Sequence, residues 1–168
     1  AKDGKKNIRS AGAPLKLSPV PWRLRQTAPT LEEHNSTFSE SRFHRPKAGA
    51  ERPDGPLEGV RILSLGQAWS GTFATEIFSL LGADVVQLGG IQRTDVWRRV
   101  RNEVPQGVAQ ADKRQHPLNT SGLYNSVNLN KRELTLNLKD PQGMDLFWDL
   151  VPNFDILIDN FRATVMPS

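Results

Sequence analysis

LEGVRILSLGQAWSGTFATEIFSLLGADVVQL, residues 57–88, is the stretch on which the fold turns. Val60-Arg61-Ile62-Leu63-Ser64-Leu65 is a short β-rich run bounded by Gly59 and Gly66. After Gly71 the apolar residues Phe73, Ile77, Leu80 and Leu81 recur at helical spacing, and Gly82 stands where a helix would end in a left-handed residue. Asp84-Val85-Val86-Gln87-Leu88 is a second β-rich run. Strand, helix and strand within about 30 residues form a βαβ unit and therefore a parallel pair. The pattern returns downstream. Glu133 to Leu138 alternates polar and apolar residues at period two, as a half-buried strand does. Asp140-Pro141 supplies an N-cap and a proline at the first helical position, and Met144, Phe147, Trp148 and Val151 share one helical face. Asp155-Ile156-Leu157-Ile158-Asp159 reads as a further strand with a buried apolar centre. Residues 89–130 read mostly as loop, with a short helix around Thr94–Arg101. The fold class is α/β, an open parallel sheet or the first half of one.

The first third of the chain has a different character. Ala13 to Ser18 is a candidate edge strand, after which Pro19, Pro21 and Pro29 break any regular element. Thr30 with Glu33 opens a capping box, and KAGAERPDGP, residues 47–56, reads as a linker. The net charge of +4 is concentrated here: residues 1–56 hold 11 Lys and Arg against 6 Asp and Glu, whereas residues 57–168 hold 11 against 12. Lys2, Lys5, Lys6 and Arg9 are scattered without periodicity, which describes a solvated basic segment better than a nucleic-acid surface. No cysteine is present, so thiolate chemistry and disulfides are excluded, and His34, His44 and His116 lack zinc-ligand spacing. No apolar run approaches the roughly 20 residues of a membrane span, and Lys5-Lys6 is not followed by an apolar signal core. A cytoplasmic protein without metal, nucleic-acid or membrane partners is the expectation. The chain begins with Ala1 and stops at Val165-Met166-Pro167-Ser168 without a closing element, so a fragment of a longer protein is expected.

In an open parallel sheet the ligand site lies beyond the carboxyl ends of the strands. Three loops qualify: Gly66–Gly71, Gly89–Asp95 and Asn160–Thr164. The first lacks the GxGxxG spacing, and Gly89 stands where a ribose-binding acid is required, so NAD is not expected. Gln67 and Ser70 either point into a site above the first strand or, for Ser70, cap the following helix. Trp69 is a core or interface residue or a ligand platform. Lys131, Arg132 and Lys139 flank a strand, where they either meet phosphate oxygens or stay solvated. Asp155 and Asp159 bracket a strand without the geometry of an acid–base pair. Residue chemistry alone yields an anion-friendly α/β domain.

PLEGVRILSLGQAWSGTFATEIFSLLGADVVQL, NLNKRELTLNLKDPQG and FDILIDNFRATVM, in this order and spacing, resemble the family III CoA-transferases of the CaiB/BaiF type across most of residues 56–166. GAPLKLSPVPWRLRQTAPTLEEHN, residues 12–35, is similar to the closing segment of the same family, with Glu32 in place of a glycine. The resemblance implies residues 1–46 as the end of one transferase unit, 47–56 as a linker, and 57–168 as the CoA-binding opening of a second. It implies a Rossmann-like sheet, partial here and preceded by the irregular proline-rich segment, and an interlocked homodimer or tandem pseudo-dimer. Coenzyme A, arriving as an acyl-CoA, is the implied cofactor, and a small carboxylic acid the second substrate. Carried over by motif position, Ala68, Trp69 and Ser70 would line the site, Leu136 and Lys139 would approach the nucleotide part of CoA, and Asn160 and Phe161 would lie nearby. The family chemistry is acyl transfer through an aspartyl anhydride. The nucleophile falls beyond the last matching motif, so no catalytic residue is named and the fragment alone is expected to be inactive. The same family includes acyl-CoA racemases. Trp69 stands where the formyl-CoA-transferase branch has an active-site glutamine, and Gly89-Gly90 replaces the family's frequent Glu-Arg or Glu-Ser, removing a charge near CoA. Both departures keep open a non-catalytic unit with a structural or dimerisation role.

Overall fold

The computed structural model describes residues 2–3, 6–7, 24–25, 55–90, 92–99 and 121–165. The expected edge strand at Ala13–Ser18, the capping box at Thr30 and residues 47–54 of the linker lie outside these. Two short strands, β1 (Lys2–Asp3) and β2 (Lys6–Asn7), pair antiparallel. The main sheet contains β3 (Arg61–Ser64), β4 (Asp84–Gly89), β5 (Arg132–Thr135) and β6 (Ile156–Ile158) in the order β5-β4-β3-β6. Every pairing is parallel. The helices are α1 (Ser70–Leu80), α2 (Val96–Arg99), α3 (Gly122–Ser126) and α4 (Pro141–Leu150). From β3 the chain moves outward through β4 to β5, then returns to the other side of β3 for β6. The direction of travel therefore reverses between β3 and β6.

Period-two alternation sorts the core onto both faces of the sheet. Ile62 and Val85, paired in register, join Ala83 on one face, where Phe78 of α1 packs. Leu63 and Val86, the next pair, join Leu65, Leu88 and Phe147 of α4 on the other. The two helices thus cover opposite faces, which is why β3 and β4 read as nearly continuous apolar runs. Gly82, at φ 106°, ends α1 as expected. The Ala83 N–H donates to the Phe78 carbonyl (3.0 Å) and the Gly82 N–H to that of Ser79 (3.2 Å), a Schellman arrangement. Gly55, within the expected linker, is buried against the end of α1, where the Leu57 N–H donates to the Leu81 carbonyl (3.0 Å). Arg25 docks on the same helix end, its guanidinium donating to the carbonyls of Ser79 (2.9 Å) and Ala83 (3.0 Å).

Five sequence expectations are corrected. β5 stops at Thr135 rather than Leu138, because β4 has no residue beyond Gly89 to pair with; the Leu136 N–H makes the last bond, to Gly89 (3.0 Å). β6 does not bury its centre: Ile156 and Leu157 are 42% and 41% exposed, on an outer strand of the described sheet. Trp148 does not join Met144, Phe147 and Val151 in the core; it is 61% exposed and meets Phe147 edge-on. On α1 the fully buried residues are mainly Thr72, Thr75, Glu76 and Ser79, while Phe73 and Ile77 are half-buried. Thr75 donates to the Gly71 carbonyl (2.9 Å) and Ser79 to the Leu129 carbonyl (2.7 Å), so both hydroxyls are satisfied, while Oε2 of Glu76 is buried without a hydrogen-bond partner. The helix α3, in a region read as loop, is capped by Ser121, whose hydroxyl accepts from the Tyr124 N–H (3.3 Å).

Asp140 caps α4 as expected, its carboxylate accepting from the Gln142 N–H (2.9 Å), with Pro141 at the first position. Gly143 is buried, and a Cβ there would run into the Asn137 carbonyl. Gly→Ala in an exposed helix stabilises by roughly 0.5–1 kcal/mol. Gly143→Ala is expected to reverse that sign and lower amide-exchange protection across α4 in the full-length protein. Protection equal to or above wild type would contradict the close packing described here.

Candidate functional site

Parallel strands place all their carboxyl ends on one side, and a reversal of strand order opens a crevice there. The loop leaving β3, residues 66–71, stands on the β3 side of that reversal and Asn160 on the β6 side, the two joined by direct hydrogen bonds. Gly66 and Gly71 close this loop into a ring. A Cβ on Gly66 would sit 2.8 Å from the Gly71 Cα, and one on Gly71 would sit 2.7 Å from the Gly66 Cα. Side chains of Gln87, Asn160, Asp95 and Thr72 then hold several of the ring's polar groups. Gln87 of β4 donates to the Gly66 carbonyl (2.7 Å). The Asn160 amide accepts from the Gln67 N–H (2.8 Å) and donates to the Gln67 carbonyl (2.8 Å) and the Ser70 hydroxyl (3.0 Å). Asp95 accepts from the Ala68 N–H (2.8 Å), and the Ala68 carbonyl accepts from the Thr72 hydroxyl. Ala68 has φ 58°, a left-handed conformation that a non-glycine residue keeps only when its surroundings impose it.

The structure therefore brings Ala68, Ser70 and Asn160 of the candidate residues together. Trp69 lies at the same rim, 55% exposed, stacked on Phe73 (5.5 Å between ring centroids) and edge-on to Trp97 (6.2 Å). It is thus neither buried in the core nor isolated. Ser70 does not cap α1. It is the first helical residue, the preceding Trp69 makes no side-chain cap, and the Ser70 hydroxyl is committed to Asn160. Leu136 and Phe161 contribute to the apolar cluster around Leu63 and Leu88, beneath the carboxyl end of the sheet. Lys139 follows β5, exposed, its N–H donating to the Asn137 side chain (3.2 Å). Asp159 folds the β6 loop by accepting from the Phe161 N–H (3.0 Å), and Asp155 accepts from the Arg61 N–H (2.9 Å), which leaves both outside acid–base chemistry. Gly90 has room for a side chain: a Cβ would meet only the carbonyls of Leu136 (3.7 Å) and Arg93 (3.8 Å). Among the described residues no group of His, Cys, Asp and Glu is arranged to hold a metal, and no helix is long and apolar enough to cross a membrane.

Two of the basic residues are structural. Arg132 forks onto Asp84, joining β5 to β4. Lys131 is 4% exposed, and its ammonium donates to the Thr72 carbonyl (2.8 Å) and the Asn128 side chain (2.8 Å). It lies inside, where no phosphate reaches it. Asp95 and Gln87 were missed from sequence; their partners in the loop are 27 and 21 residues away.

Residues 57–168 match the family model of CoA-transferase family III. The chain belongs to this family. It is 33% identical over 106 residues to a formyl-CoA:oxalate CoA-transferase of Streptomyces coelicolor, covering 62% of this chain and 22% of that protein. It is 30% identical over 164 residues to the succinyl-CoA–L-malate CoA-transferase alpha subunit of Chloroflexus aurantiacus, covering 94% of this chain and 33% of that protein. Among solved structures, the orthorhombic form of Rv3272 from Mycobacterium tuberculosis superposes with a TM-score of 0.53 at 26% identity, over 67% of this chain and 28% of that one. The family III chain thus spans about a fifth to a third of the length of these relatives.

Burial gives the interior beneath α1 an unusual pH response. It pushes the Glu76 carboxyl up to about 7, against the opposing pull of Lys131, and it pushes the Lys131 ammonium down to about 7. Glu76 has a folded value above its unfolded 4.5, so its contribution is present at lower pH and is lost as pH rises to 7. Lys131 has a folded value below its unfolded 10.5, so its contribution is present at higher pH and is lost as pH falls to 7. The pair contributes least near neutrality. Glu76→Gln is expected to flatten the decline in stability between pH 4.5 and 7, followed by thermal melts across that range. An acid limb identical to wild type would contradict the buried carboxyl.

Proposed function

We propose that the full-length protein moves CoA between an acyl-CoA and a carboxylic acid, and that the crevice between β3 and β6 holds the CoA. The observation that carries this reading is the fixed ring of residues 66–71, bridged by Asn160 at the reversal point of a parallel sheet. Support comes from the family match over residues 57–168 and from the relatives, named for CoA transfer to or from small carboxylates. In this reading Ala68, Trp69, Ser70 and Asn160 form the wall of the site, and Leu136 and Phe161 form its apolar floor. The start of α1 at Ser70 adds a positive dipole end, and Lys139 supplies a point charge for the phosphates of the nucleotide.

The reaction follows from the chemistry of the substrates. A carboxylate attacks the thioester carbonyl, the C–S bond breaks, and CoA leaves as thiolate while a mixed anhydride forms on the enzyme. The thiolate then attacks the enzyme's own acyl carbon, the first acid departs, and an enzyme thioester remains. The acceptor acid repeats the two steps in reverse and leaves as the new CoA thioester. We assign this nucleophile to an aspartate and to no residue of this chain. The protein is read as a homodimer or tandem pseudo-dimer in the cytoplasm.

A second reading, a non-catalytic unit with a structural role, is favoured by Trp69 at the rim and by the absence of charge at Gly89-Gly90, where Gly90 has room for a side chain. Lys139→Ala separates the two. Loss of one charge-assisted hydrogen bond is expected to weaken CoA binding by the full-length protein about tenfold, measured by calorimetry. Unchanged affinity would remove CoA from this crevice and leave the structural reading standing.

A further inference from the structure

The geometry points to Asp95 as a positioning residue for CoA binding, a single carboxylate that holds the 66–71 ring in its binding shape and ties it to the Trp69–Trp97 corner. This rests on the CoA reading above for its affinity arm only.

Asp95 is 9% exposed and lies in the loop after β4, outside the residues assigned to the site. Its two oxygens serve two different elements. Oδ2 accepts from the Ala68 N–H (2.8 Å), and Oδ1 accepts from the Trp97 N–H (2.7 Å) in the first turn of α2. The Asp95 carbonyl also accepts from the Arg98 N–H (3.0 Å). The carboxylate therefore spans the gap between the β3 loop and α2. Each arm ends beside an aromatic ring of one pair: Trp69 follows Ala68, and Trp97 is the other bonded residue.

The ring needs this arm because Ala68 sits at φ 58°. A residue with a Cβ reaches that region only at a cost, and it stays there when its hydrogen bonds over-determine it. Asn160 fixes Gln67 and Thr72 fixes the Ala68 carbonyl, but the Ala68 N–H is held by Asp95. Without the carboxylate the Gln67–Ala68 peptide keeps only its carbonyl bond to Asn160, and the left-handed Ala68 loses the restraint on its N–H, which loosens the step into Trp69 and Ser70. Both are rim residues of the proposed CoA wall. An acceptor on both oxygens is required, so asparagine, with one oxygen and one N–H₂, cannot replace aspartate at both ends. Serine is the informative substitute. It caps short helices well but is too short to reach Ala68, so it keeps the α2 arm and cuts the loop arm.

Three readouts on the full-length protein test this: coenzyme A affinity by calorimetry, the tryptophan exciton couplet in circular dichroism, and the melting temperature. Asp95→Ser is expected to weaken CoA binding tenfold or more and to diminish the couplet, with the melting temperature within a few degrees of wild type. Ala68→Gly added to Asp95→Ser should recover most of the affinity, since glycine adopts positive φ without a clamp. That rescue separates positioning from a general loss of fold. Asp95→Ala, which removes both arms, stands in should the serine variant not accumulate, with the same expected losses. CoA affinity within twofold of wild type in a folded variant, with or without a changed couplet, overturns the proposal. Wild-type protein that binds no CoA retires the functional reading instead, and an unchanged couplet in Asp95→Ser would then overturn the clamp by itself.

Discussion

β3 is hydrogen-bonded in parallel on both of its edges, to β4 through Arg61–Ser64 and to β6 through Ile62–Ser64, and the remaining architecture follows from that. A strand with parallel neighbours on both sides needs crossovers on both sides, and helices must cover both faces of the sheet. The apolar residues of β3 and β4 alternate between these faces in register, so neither helix can be lost without exposing half of the core. The same pairing puts the reversal of strand order, where open parallel sheets bind their ligands, between β3 and β6. Asn160 bridges that reversal with three hydrogen bonds from one amide. The site is a consequence of strand order before it is a consequence of any side chain.

The packing of α1 is unusual for a helix on a sheet. Its deepest residues are Thr72, Thr75, Glu76 and Ser79, and they meet Lys131 and the Leu129 carbonyl. A buried ammonium is tolerated only where its protons find acceptors, and here a main-chain carbonyl and an asparagine provide them. Polar contacts of this kind contribute less stability than apolar ones of equal size. Fixing α1 along its axis fixes Ser70 and Gly71 at its start, and hence one end of the 66–71 ring. Arg25, reaching in from the first third of the chain to the carbonyls at the other end, adds a second restraint on the same helix.

Local signals in the sequence carried the elements and missed what depends on distance. The unit β3-α1-β4 was legible because glycine, capping and period-two cues agree over residues 59–88. The Asp140-Pro141 start of α4 was legible for the same reason. Ile156-Leu157-Ile158 was misread because an apolar run is the expected signature of a strand covered on both faces, whereas β6 lies at the rim of the described sheet. Trp148 was placed on the buried face by spacing alone, which does not say how wide that face is. Lys131 was misread because charges beside strands are usually solvated, and its burial depends on Thr72, 59 residues away. The candidate site shows the same division. Ala68, Ser70 and Asn160 are named through motif resemblance; Asp95 is legible only as the end of a candidate loop, and neither it nor Gln87 carries a local signal of its contact with the 66–71 loop, 27 and 21 residues away.

The central claim is that CoA occupies the crevice between β3 and β6 against the 66–71 ring. Hydrogen exchange of the full-length protein with and without coenzyme A tests it directly. The account predicts added protection at the amides of residues 66–71 and 159–165, with little change on β6's outer edge or at the far end of α1. Protection confined to segments outside those two loops would contradict it.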